Sequence, residues 1–269
     1  MSDSDDGWEE LERENRLLTR KLARLESNVK QMERVQDSNA KLLTNLMREL
    51  EEERARSNSL LLNVLPQHVI DRLNQGADVI ADRYGSVTVL FSDLVGFTDL
   101  SRKMPAEELV AELNSLFSEF DALSQRMSVE KVKTIGDAYM VVAGLPGTRA
   151  DHTVAVAEMA LEMVEAVDRR GRSASPRWQI RIGMHTGPAV AGVIGRRKFV
   201  YDVWGETVNV ANRLESSAPP GGIHVSEAVA SAVRSQFGLE PRGSTELKGL
   251  GRMKTYLLAP RPEGNHRST

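Results

Sequence analysis

The 269-residue chain is 41% hydrophobic and 27% charged, with a formal net charge of −3 and no cysteine. This composition fits a folded protein with an apolar core, excludes disulfides and thiolate metal sites, and offers no excess positive charge for nucleic acid. The acidic start Met1–Asp6 is unlike a secretory signal, and no apolar run approaches the roughly 20 residues of a membrane helix, so a cytoplasmic location is expected.

Between Gly7 and Pro66 the chain has neither glycine nor proline. A heptad register runs through this segment without a slip, from Trp8 and Leu11 to Leu60 and Val64. Twelve of its seventeen a and d positions are apolar, among them Leu18, Leu22, Leu25, Val29, Met32, Leu43, Leu46 and Leu50. A sustained 3.5-residue period predicts a left-handed coiled coil, roughly 85 Å long at 1.5 Å per residue. Leucine at most early d positions and Asn15 at an a position favour two parallel strands, hence a homodimer. Asn15 is either a register lock or a polar residue at a frayed end. Gln36 with Asn39, and Glu53 with Ser57, are either tolerated polar layers or layers that keep the coil marginal enough to transmit a signal. Residues 1–65 are therefore assigned to the coil. Pro66 should end or kink this helix. Residues 66–83 form a junction holding a short amphipathic helix with Val69, Ile70 and Leu73, and Gly76 is a candidate cap.

From Ser86 the period changes. Val87, Val89 and Phe91 alternate with Thr88 and Leu90 and predict a buried strand. Residues 105–127 predict a helix, 129–143 a hairpin turning at Ile135-Gly136-Asp137, and 150–169 a second helix. Two strands are expected at 177–185 and 189–194, separated by Thr186-Gly187-Pro188. A helix at 206–217 and strands near 242–247 and 253–259 complete the chain. The order β-α-β-β-α-β is a split βαβ, ferredoxin-like α+β arrangement.

Asp93 ends the first strand and enters the turn Leu94-Val95-Gly96-Phe97-Thr98. A glycine-containing turn that opens a helix can aim backbone N–H groups at phosphate oxygens, although an aspartate there can equally be a plain helix cap. Asp137 lies at the hairpin tip, where Gly-Asp is also ordinary turn chemistry. If the hairpin pairs beside the first strand, Asp93 and Asp137 converge, and two hard oxygen ligands suit Mg²⁺ or Mn²⁺ with phosphates completing the sphere. The absence of Cys and the five His argue against zinc. His185 and His152 are read as structural residues at a strand end and a helix start.

These segments resemble the metal-binding motifs of class III adenylyl and guanylyl cyclases. Phe199 to Arg213 (FVYDVWGETVNVANR) is similar to that family's substrate and transition-state segment, and Glu246-Leu247-Lys248-Gly249-Leu250-Gly251 to its triphosphate lysine loop. The resemblance spans residues 84–259. It implies a catalytic domain at 84–260, with 261–269 a flexible tail. It implies two Mg²⁺ or Mn²⁺ per active site, held by Asp93, Asp137 and the Leu94 carbonyl, with the backbone of Gly96, Phe97 and Thr98 facing the phosphates. Asn209 would orient the ribose, Arg213 stabilise charge on the α-phosphate, and Lys248 hold the terminal phosphates. Adenylyl members carry Lys and Asp or Thr at two base-contacting positions, where guanylyl members tend to carry Glu and Cys. Here these positions hold Lys133 and Asp202, a donor for adenine N1 and an acceptor for the N6 amino group. The resemblance thus implies ATP as substrate, cyclic AMP and pyrophosphate as products, and composite sites between two copies of the chain. A guanylyl cyclase and a catalytically silent cyclase-like scaffold are the alternatives.

Overall fold

The computed structural model describes residues 3–62, 64–147, 149–171, 178–195 and 198–261, with backbone alone for 3–12 and 171. The tail expected at 261–269 lies outside the described residues apart from Arg261, and so do the side chains of Trp8 and Leu11. The chain forms two compact units, Met1–Asn63 and Val64–Thr269.

The first unit is helix α1 (Asp3–Leu62). Its predicted seam residues Leu18, Leu22, Leu25, Val29, Met32, Leu43, Leu46, Leu50 and Leu60 are each 51–65% exposed. A helix with so exposed an apolar stripe gains little from burial, and most helical stability comes from such burial. No helix among the described residues is long and apolar enough to cross a membrane.

The second unit begins with α2 (Gln67–Asn74), which Pro66 caps with φ −61°. Gly76 takes φ +84°. The Gly76 N–H donates to the Leu73 carbonyl and the Ala77 N–H to the Arg72 carbonyl, the paired bonds of a Schellman ending that glycine makes accessible. Val69 and Ile70 are fully buried.

The remaining elements are β1 (Ala81–Leu94), α3 (Phe97–Ser101), α4 (Ala106–Met127), β2 (Glu130–Ile135), β3 (Ala138–Ala143), α5 (His152–Gly171), β4 (Ile180–Ile194), β5 (Val200–Trp204), α6 (Glu206–Ser216), β6 (Ile223–Ser226), α7 (Glu227–Val233), β7 (Gly238–Leu247) and β8 (Gly251–Ala259). The sheet runs β2-β3-β1-β4-β6-β8-β7, with β5 paired to the far half of β4. Its first four strands have the order expected of a split βαβ core. All pairings are antiparallel except β4 with β6.

Alternation along β1 sends its side chains to two apolar layers. Leu90 and Leu94 join α4, α5 and α7 on one face. Val87, Val89 and Phe91 join α2 and Ala211 of α6 on the other.

Two sequence expectations change here. The strands expected on either side of Thr186-Gly187-Pro188 are one 15-residue strand. Pro188 falls opposite the irregularity between Tyr84 and Val87, where β1 offers no paired residue, so its missing N–H breaks no ladder bond. Its carbonyl accepts from Thr207 Oγ1 at 2.7 Å. β5, β6 and α7, not among the expected elements, are four to seven residues long and too short for a clear period.

Candidate active site

Asp93 is the penultimate residue of β1, and Asp137 follows Gly136 in the two-residue turn joining β2 to β3. Gly136 has φ +63°, a conformation that a side chain resists. The pairing of Ser92 with Tyr139 brings the turn alongside the end of β1, so the two carboxylates meet as the sequence suggested. Burial first, and then the Asp93 charge, pushes the Asp137 carboxyl up to about 6, while the Leu94 backbone N–H favours its ionised form. Two neighbouring, partly buried carboxylates form a donor set whose mutual repulsion a hard cation relieves. Among the described residues no group of three or more His, Asp or Glu could hold a metal, so further ligands would have to come from backbone, water or substrate.

Gly96 caps α3 in the left-handed region, φ +75° and ψ +10°. The turn therefore delivers the first N–H groups of α3, which have no intrahelical partner, to one side. The helix is five residues long and acts as a turn rather than a strong dipole.

Arg181, which no motif singled out, joins Asp93 here. It stands directly opposite Asp93 in the β1–β4 register, and its Nη2 donates to Asp93 Oδ2 at 2.5 Å. The same Nη2 lies 3.4 Å from Oε1 of Glu215, a buried residue of α6. Burial, and then the Asp93 charge, pushes the Glu215 carboxyl up against the opposing pull of Arg181. The available signal was a charged residue inside the apolar run Ile180-Arg181-Ile182.

Asn209 and Arg213 sit one turn apart on the exposed side of α6. With Asn212, Lys248, Gly249 and Leu250 they line one depression of about 280 Å³. Lys248 enters it from the turn between β7 and β8. Arg213 and Glu215 are two residues apart and so face about 200° from one another around the helix. Arg213 is turned away from Asp93 of its own chain.

Lys133 on β2 and Asp202 on β5 form a third group. Lys133 Nζ donates to Asp202 Oδ2 at 2.5 Å, and the other oxygen, Oδ1, accepts the Val203 N–H at 2.8 Å. His152 bonds Thr88 through Nδ1 at 2.8 Å. His185 Nδ1 lies 2.7 Å from Ser226 Oγ, and both histidines are held by the scaffold.

Residues 79–260 match the adenylate and guanylate cyclase catalytic domain model. An adenylate cyclase of Mycobacterium bovis is 43% identical over 217 residues, covering 79% of this chain and 48% of that protein. The chain thus spans about half the length of that curated relative. The catalytic core of a rhodopsin-guanylyl cyclase with converted specificity, in complex with ATPαS, aligns with a TM-score of 0.63 and 38% identity, covering 67% of this chain and 98% of that one. The adenylyl cyclase CyaB of P. aeruginosa aligns with a TM-score of 0.64 and 28% identity over 68% of this chain and 97% of that one. With its split βαβ core, converging aspartates and helix-borne Asn and Arg, the chain belongs to the class III family of adenylate and guanylate cyclase catalytic domains.

Proposed function

We propose that the chain is an adenylyl cyclase that converts ATP to 3′,5′-cyclic AMP and pyrophosphate at two composite sites of a parallel homodimer. The observation that carries this reading is the opposite facing of Arg213 and Glu215 on α6. Glu215 belongs with Asp93 inside the chain, whereas Arg213 opens outward toward a second copy. A two-fold pair would bring Asp93 and Asp137 of one copy to Asn209, Arg213 and Lys248 of the other, twice over. The exposed seam of α1 supports the same stoichiometry as a parallel coiled coil, and tethering raises the effective concentration of one domain for the other.

In the reaction a bond forms from the ribose 3′-oxygen to the α-phosphorus. The α–β bridging bond breaks, pyrophosphate leaves with its electron pair, and the 3′-hydroxyl proton passes to solvent. Asp93, Asp137 and the Leu94 carbonyl would hold two Mg²⁺ or Mn²⁺, which when bound acidify the 3′-hydroxyl and neutralise the triphosphate. The N–H groups of Gly96, Phe97 and Thr98 donate to phosphate oxygens. Asn209 orients the ribose, Arg213 meets the charge that grows on the α-phosphate, and Lys248 holds the departing pyrophosphate. Lys133 donates to adenine N1 and Asp202 accepts from N6. Guanine reverses both requirements, and each unmatched buried group costs about 1–3 kcal/mol. A structural neighbour, a guanylyl cyclase with converted specificity in complex with ATPαS, supports reading base choice from side chains rather than from the fold.

The test is chromatography of products from the purified chain incubated with ATP or GTP and Mn²⁺ or Mg²⁺. Cyclic AMP from ATP, at least tenfold faster than cyclic GTP from GTP, is expected. Preferred cyclic GTP would make it a guanylyl cyclase, and nucleotide binding without product a silent scaffold.

A further inference from the structure

We propose that Glu215 is a positioning residue that acts through Arg181 to couple the two nucleotide sites of the homodimer, so that filling one strengthens the other. The proposal rests on the composite-site reading above. Arg181 Nη2 is shared, at 2.5 Å from Asp93 and 3.4 Å from Glu215. Its Nε is buried without a partner, as is Oε1 of Glu215 in hydrogen-bonding terms. One guanidinium therefore serves two carboxylates and satisfies Glu215 poorly. When Asp93 turns its lone pairs to a metal-bound nucleotide, Arg181 is left to Glu215, the other acid beside it.

That change reaches α6 directly. At Gly183 the helix backbone rests on β4 with no side chain between them: an added Cβ would lie 1.9 Å from the Glu215 nitrogen and 2.4 Å from the Ala211 carbonyl oxygen. With no room to move inward, α6 responds to a stronger Arg181–Glu215 pair by being held more firmly. The outward face it steadies carries Asn209 and Arg213, which in a two-fold dimer serve the other site. A second ligand then meets groups already ordered, which is positive cooperativity without a large structural change.

The test is calorimetric titration of the full-length dimer with α,β-methylene ATP and Mn²⁺, a pair that cannot cyclise, alongside Glu215→Gln. The substitution keeps the volume of the side chain, removes its charge and turns one acceptor oxygen into an NH2 donor. The wild type should bind its second analogue at least about fivefold tighter than its first, the lower end of typical coupling. Glu215→Gln should bind two equivalents with equal affinity, and Glu215→Asp should restore part of the difference. Two equal sites in the wild-type dimer, or cooperativity unchanged in Glu215→Gln, would overturn the proposal and leave the composite-site reading standing. A chain that sediments as a monomer while cyclising ATP would overturn both.

Discussion

Replacing Gly183 by alanine probes how closely α6 must sit on the sheet. The new Cβ would stand 1.9 Å from the Glu215 nitrogen, whereas 3.4 Å is ordinary contact, so the helix must lift by about 1.5 Å (3.4 − 1.9). Both clashing groups are backbone, and no flexible side chain can yield instead. Forcing such extra volume into a packed layer costs about 1–3 kcal/mol. For a unit of this size each kcal/mol lowers Tm by about 2–4 °C, so a fall of about 2–12 °C is expected by calorimetry. The larger effect falls on chemistry, because Asn209 and Arg213 ride on the displaced helix. A misplacement of about 1 Å can cost on the order of 10²-fold in rate. Cyclic AMP formation at saturating ATP should fall by that order, with kcat carrying most of the loss. A Gly183→Ala protein with wild-type Tm and a rate within about twofold would refute the idea that this contact sets the position of α6.

His224 gives a pH signature. It is completely buried, and burial pushes its imidazole from 6.5 down to about 4, so the folded state refuses a proton that the unfolded chain accepts. Its stabilising contribution is full above the unfolded value and is lost as pH falls through the window from about 6.5 to 4. Urea unfolding should show about 2 kcal/mol less stability at pH 5 than at pH 7 from this group, and His224→Leu should flatten that part of the slope. In α1, Leu22→Lys with Leu25→Lys should convert the dimer toward monomer in sedimentation at micromolar protein. Cyclase activity should then rise more steeply than linearly with enzyme concentration; an unchanged dimer would remove the coil from the assembly.

The residues legible in the sequence were those whose role shows in their immediate neighbours. Asp93 announced itself as a charge ending an apolar strand before a glycine turn and Asp137 as an acid at a hairpin tip, whereas Asn209 and Arg213 were reached only through the family resemblance of the segment that holds them. Arg181 and Glu215 escaped because their meaning depends on strand register across 88 residues and on which side of α6 meets the sheet. Gly183 was equally silent: a glycine inside a strand can signal close backbone approach, but only the fold says what approaches. Pro188 misled for the opposite reason. Its local signal for a break was correct chemistry, and the irregularity in the neighbouring strand absorbed it.

The pairing of Lys133 with Asp202 has a consequence for selectivity. Each charge is already occupied by the other, so a base bound there as proposed would compete with an internal partner rather than with water. If the pair reads the base as proposed, a molecule that engages only one of the two would leave the other, itself partly buried, without its partner. On the proposed reading the pair would disfavour partial matches as a class and favour an edge presenting acceptor and donor together.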